Sequence, residues 1–147
     1  MLRTIILFSL ANSWIFLLAA AAAWVFGAAY YGVLGKAWIA AQGKTMATLK
    51  AENAGKSSIT KAAPFVLSFV AEAVMAWVLC GLMMHMAMLG ARAGMISAAF
   101  IWFGFVLPTI AVNNAYSGRK AMLTVIDAGH WLGALVIIGA VVGGIAR

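Results

Sequence analysis

The charges in this chain are spaced so that the gaps between them can cross a membrane. Arg3 and Lys36 enclose 32 residues without a charge, and Arg92 and Arg119 enclose 26. Lys61 to Arg92 and Lys120 to Arg147 enclose 30 and 26 residues, each interrupted by one carboxylate, Glu72 and Asp127. A helix crosses the roughly 30 Å hydrocarbon core with about 20 residues, so every gap is long enough. Lipid cannot hydrogen-bond free backbone groups, and the gaps are too long and too evenly apolar for barrel strands, so they must be helices. A composition of 66% hydrophobic and 9% charged residues agrees with an integral membrane protein. The expectation is a single all-α domain over residues 1–147, an up-down bundle of four transmembrane helices. The helices are placed at about 10–35, 63–90, 94–116 and 121–145, with an N-terminal extension on the first and a basic loop at 36–61.

The first 32-residue gap would reach about 48 Å as one helix, so it must tilt, break or protrude. Residues 4–11 are expected at the interface. The start resembles a signal peptide, but its apolar run far exceeds the usual length, and an uncleaved helix is expected. A net charge of +7 would point to nucleic acid in a soluble chain; here the bases sit where membrane topology needs them. Lys36, Lys44, Lys50, Lys56, Lys61, Arg119 and Lys120 fall on one side and Arg3, Arg92 and Arg147 on the other, seven against three. Positive-inside logic then places both termini in the periplasm of a bacterial inner membrane and the 36–61 loop in the cytoplasm. No nucleic-acid partner is expected. The loop reads as a solvated basic linker or as a segment resting on headgroups. Cys80, the lone thiol, excludes an intrachain disulfide.

Small residues recur at four-residue spacing as Ala19, Ala23 and Gly27, and again as Gly129, Gly133, Ala140 and Gly144, which lets helix backbones approach closely in lipid. The stretch "LTVIDAGHWLGALV" adds the costly residues. Asp127 and His130 project from one face, and Gly129 and Gly133 are assigned to another. Ionisable side chains in a span face a bundle interior, a partner or a water-filled cavity. Counted from the basic ends at about 1.5 Å per residue, Asp127 lies about 10 Å deep and His130, Thr109 and Glu72 about 15 Å deep. Pro108 frees a carbonyl near that depth, and Asn113 with Asn114 lies closer to the cytoplasm. The expectation is an intramembrane polar cluster of Asp127, His130, Glu72, Thr109, Asn113 and Asn114. It serves either as a latch fixing helix register or as a site for a proton, cation or small ligand.

A softer set, Cys80, Met84, His85 and Met88, has the ligand chemistry of Cu(I), although methionine is also an ordinary core filler. Bis-histidine haem is not expected, because His85 and His130 lie at different depths. Single-ligand haem or chlorophyll at His130 is left open, and no cofactor is required. No phosphate loop, nucleophile elbow or zinc motif is present.

Three stretches, "AAYYGVLGKAW", "FGFVLPTIAVNNAYSGRK" and "IDAGHWLG", together resemble the small bacterial membrane proteins grouped as domain of unknown function 1761. The resemblance runs from about Trp14 onward and agrees with four helices and their loop lengths. It implies shared positions at Tyr31, Gly35, Lys36, Trp38, Pro108, Asn113, Asn114, Asp127, Gly129 and His130, and a common polar site. The chain departs from the family in its N-terminal extension and in "YYGV", where an aromatic pair usually leads into a Ser-Pro turn. Glu72 and the methionine run do not map to the family pattern.

With no soluble domain and no catalytic set, the favoured reading is a non-enzymatic accessory or scaffold subunit. It would pack against itself or against a larger membrane complex of respiratory or photosynthetic type. The alternative is a proton- or cation-coupled transporter or channel component that uses Asp127, His130 and Glu72.

Overall fold

The computed structural model describes residues 11–88 and 90–145, and all regular structure among them is helical. Helices α1 (Ser13–Ala41), α3 (Ser58–His85) and α6 (Ala121–Ile145) are single spans, and α2 (Met46–Ala54) is short. The remaining span, Ala91–Tyr116, is α4 (Ala91–Ile101), a π-helical turn (Trp102–Val106) and α5 (Leu107–Tyr116) in sequence. Four spans are therefore long and apolar enough to cross a bilayer, and the protein is a multi-pass membrane bundle. Val25, Val33, Phe65, Phe100, Phe105 and Val125 face outward, as lipid contact requires.

The first span is longer than expected. Lys36 and Trp38 lie on α1, not in a loop, because the helix continues to Ala41 before a left-handed Gly43 (φ +75°) stops it. The amides of Gly43 and Lys44 turn back to the carbonyls of Ala40 and Ile39, closing orphan acceptors at the helix end. Lys120 adds its ammonium to the Ala40 carbonyl at 3.1 Å. The expected 36–61 loop is thus the end of α1, a turn, α2 and the start of α3. Thr45 caps α2 through a reciprocal bond with Thr48. Lys44 pairs with Glu52 at 2.6 Å and holds that carboxyl below its ordinary range, a surface contact of small energetic weight. The second span also begins earlier, at Ser58, where Ser57 caps it through the Thr60 amide. The interfacial stretch expected at residues 4–11 falls, apart from Ala11, outside the described residues, as do Arg3 and Arg147.

Consecutive spans run antiparallel, with α6 as the hub that touches each of the others. In its most apolar stretch 44% of α6 is buried, against 11% for the Ala91–Tyr116 span, which lies at the periphery. The main core joins Ile15, Phe16, Ala19 and Ala23 of α1, Ala76, Leu79, Cys80 and Met83 of α3, Ala98 of α4, and Ala134, Leu135, Ile138 and Val142 of α6. A smaller cluster of Ala41, Leu123 and Ile126 packs under Tyr30, Tyr31, Leu34 and Trp38. The polar residues of α6 occupy the interval between the two.

Contact between α4 and α6 is backbone on backbone. Gly94 and Gly139 face each other so closely that a Cβ on either would run into the other's carbonyl. One turn away Gly143 meets Gly90, whose amide donates to the Gly143 carbonyl at 3.0 Å across the helices. These are matched small-xxx-small pairs, and they differ from the expected row of Gly129, Gly133, Ala140 and Gly144. We predict that Gly94→Ala lowers stability by about 1–3 kcal/mol in reversible detergent unfolding, because the helices must separate. Gly32→Ala, where a Cβ meets nothing within 4 Å, is expected to be near neutral in the same assay.

Candidate functional site

Two bulky rows on α1 determine what α6 presents. The outer row, Phe26 and Tyr30, lies over the glycines: a Cβ on Gly133 would strike the Phe26 ring, and one on Gly129 would come within 2.7 Å of the Tyr30 hydroxyl. The other row provides the partners of Asp127. Its Oδ1 accepts from the Tyr31 hydroxyl at 3.1 Å and from the Trp38 indole N–H at 2.9 Å. Both are hydrogen bonds to a carboxylate, the stronger kind. Asp127, His130, Gly129 and Gly133 thus all face α1, which corrects the assignment of the glycines to a different interface. The covering aromatic side chains are wide enough for one helix to span both sets.

His130 is 6% exposed and ringed by Tyr31 (centroids 4.9 Å apart), Trp131 (5.1 Å), Tyr30 (5.7 Å) and a stacked Phe26 (6.2 Å). Gly27 makes room for it, since a Cβ there would lie 2.7 Å from Nε2. Haem or chlorophyll ligated from that nitrogen would overlap α1. Two further side chains hold the α6 backbone at this level: Tyr30 donates to the Ile126 carbonyl at 3.0 Å and Trp102 to the Ala128 carbonyl at 2.7 Å.

Helix α3 brings Glu72, 1% exposed, to the same layer. A cavity of about 140 Å³ lies between α1, α3 and α6, lined by Trp24, Gly27, Tyr31, Ser68, Glu72 and His130 among others. A wider recess of about 440 Å³, reaching Gly35, Trp38 and Trp131, shares Tyr31, Ser68 and His130 with it. Glu72 Oε2 and His130 Nδ1 are buried without a hydrogen-bond partner among the described residues. Such groups cost on the order of 1–3 kcal/mol each when left unpaired. Residues 58–67 of α3 are exposed, and the helix meets α1 at Phe65, whose carbonyl accepts from the Trp24 indole N–H at 3.2 Å. Pro64 lies in that segment and cannot donate to the Thr60 carbonyl.

The expected cluster is therefore divided. His130 and Glu72 line one cavity and Asp127 lies behind Tyr31 of its wall, but Pro108, Thr109 and Asn113 face outward from α5. The cause is the π turn ahead of Pro108. One extra residue in a helix turns everything after it by about 100° relative to an unbroken α-helix. Trp102, at the start of the turn, is directed at α6, and the Thr109 hydroxyl is absorbed by the Phe105 carbonyl of its own helix. Asn114 is half-buried and bonds to Thr124 at 3.1 Å, toward the end of the bundle. Gly35 and Trp38 line the recess, whereas Lys36, between them on α1, is exposed. In the soft-ligand set, Cys80 is buried with Leu79 and Met83 and Met84 packs partly on that core, whereas His85 and Met88 are exposed. Core and surface thus separate the four.

Sequence reading missed Tyr30, Trp24 and Ser68 because nothing about an isolated aromatic or serine in a span separates a site wall from packing. It also missed Gly90, Gly94, Gly139 and Gly143, although "GARAG" and "GAVVG" are visible as paired small-xxx-small motifs. We predict that Trp38→Phe costs about 1–3 kcal/mol of stability, and clearly less in an Asp127→Ala background. A double-mutant cycle by detergent unfolding measures this, and additive effects would contradict the coupling.

No curated protein and no solved structure matches the chain. A family model, protein of unknown function DUF1761, matches residues 14–143. That match takes in all four spans and every polar residue of the cleft, and the chain belongs to this DUF1761 family.

Proposed function

We propose that this protein exchanges a proton or a small cation at Glu72 and His130, within a cleft entered from the end of the bundle that carries the 36–61 segment. The observation that carries this reading is the pair of buried, unpartnered groups on one cavity, Glu72 Oε2 and His130 Nδ1. A latch would be expected to pair its polar atoms with each other, as Asp127 is paired with Tyr31 and Trp38. Two cavity-lining residues that each keep a buried polar atom unpaired among the described residues suit a transient occupant. Asp127 in this reading is an anchor that orients Tyr31, and the exchange belongs to the other two.

The orientation follows from the basic residues. Lys36, Lys44, Lys50, Lys56, Lys61, Arg119 and Lys120 all lie at the α1-terminal end, and Arg92 lies at the other. In a bacterial inner membrane this puts the cleft mouth in the cytoplasm and both termini in the periplasm.

A second reading, an accessory subunit of a larger membrane complex or of a homo-oligomer, draws support from the Ala91–Tyr116 span. Only 11% of its most apolar stretch is buried, and Pro108, Thr109 and Asn113 face outward there. Both readings are compatible with one protein, since the cleft and this outer face are formed by different helices.

Reconstitution into liposomes tests the first. With an imposed pH gradient or cation gradient, wild-type protein is expected to carry flux that Glu72→Gln reduces at least tenfold (about 1.4 kcal/mol), while the helical circular-dichroism spectrum is retained. Equal flux in the two proteins would count against the proposal.

A further inference from the structure

The walls of the cleft say more than that it takes a positive charge. Within the reading above, we infer that its occupant is a small organic cation, a protonated or quaternary amine, whose head group sits against Glu72. Three observations carry this. The deep cavity holds one carboxylate, 1% exposed, with an oxygen unpartnered among the described residues, and no lysine or arginine is on the cavity wall. Trp24, Tyr31 and Phe65 supply ring surface around the same space, and rings attract a cation held within about 6 Å of their faces. The oxygens available for a bare metal ion are few. Apart from Glu72 the wall side chains offer two neutral oxygens, the hydroxyls of Ser68 and Tyr31. A hard cation of the calcium class takes about six to eight oxygens, which this wall does not offer. An ammonium group with short substituents needs only one counter-charge and carbon-lined walls.

Size and shape agree. The inner cavity of about 140 Å³ has room for about four waters, or for a trimethylammonium-sized head. The recess it joins, about 440 Å³ beside Gly35, Trp38 and Trp131, is in the range of small-molecule pockets and suits an apolar body attached to that head. The ligand class is therefore amphiphilic: cationic head inward at Glu72, apolar part toward the α1 terminus. His130 stands at the junction of the two spaces, where its ring forms part of the wall of both.

The test uses the full chain in nanodiscs and reads tryptophan fluorescence and calorimetric binding with benzyltrimethylammonium, its uncharged carbon isostere neopentylbenzene, and sodium ion at constant ionic strength. The expected result is binding of benzyltrimethylammonium at least tenfold tighter than neopentylbenzene, weakened at least tenfold by Glu72→Gln and unchanged by Glu52→Gln on α2. The comparison of the three probes on wild-type protein stands even if Glu72→Gln fails to fold. Equal affinity for the cation and the hydrocarbon overturns the inference, as does displacement of the amine by sodium at similar concentration. Absence of amine binding together with Glu72-dependent proton flux in liposomes also overturns it, and leaves the proton-exchange reading in place.

Discussion

The approach of α6 to α4 sets the geometry of the bundle. At Gly94 and Gly139 no side chain separates the two backbones, and at Gly90 and Gly143 an amide and a carbonyl of different helices bond directly. In lipid, where helices gain little from hydrophobic burial against each other, such contact supplies packing energy that longer side chains cannot. It also draws α6 inward at its far end, so that α1 and α3 can close over its remaining surface with alanines. The hub position of α6, and the fact that its polar residues face other helices and not lipid, both follow.

At the opposite end the packing logic changes from small residues to large ones. Phe26, Tyr30, Tyr31 and Trp38 of α1 lie over a part of α6 that is indented by Gly129 and Gly133 and bears Asp127 and His130. Gly27, Gly129 and Gly133 are each matched to a ring or an imidazole. The carboxylate of Asp127 is satisfied by two donors from α1, which makes the α1–α6 pairing polar and directional, while the α4–α6 pairing is apolar and close. Two helices thus hold α6 by different physics. Helix α3 has neither device: Trp24 of α1 donates to its Phe65 carbonyl, and the cleft beside Glu72 lies between the two helices and α6.

The contrast between Asp127 and Glu72 carries the functional meaning. Both are carboxyls in spans, and both are expensive there. One has two donors ready for it, and the other lines a cavity and keeps a buried oxygen unpaired among the described residues. A fold that gives one carboxyl two donors and leaves an oxygen of the other unpaired among the described residues has treated them as different kinds of group. The same holds for His130, enclosed by rings on its faces yet lacking a partner at Nδ1.

The number of spans, their alternation and the presence of costly residues in α3 and α6 were legible from the chain alone. They depend on local properties: length of neutral run, charge placement and the price of a bare backbone in lipid. That Glu72 and His130 reach one level was also legible, because depth along a helix scales with residue count. Facing was not. Pro108, Thr109 and Asn113 share the depth of the cluster yet face away, because a π turn before Pro108 shifts their azimuth and nothing in "FGFVLP" announces that turn. The extension of α1 to Ala41 was hidden for a similar reason: the partners that hold its last turn, Asp127 and Lys120, come from a helix some 80 residues later. Sequence determined which residues must leave the lipid and how deep they lie. Only the tertiary structure decided which of them would be paired and which left open on a cleft, since azimuth and partner are properties of several helices at once.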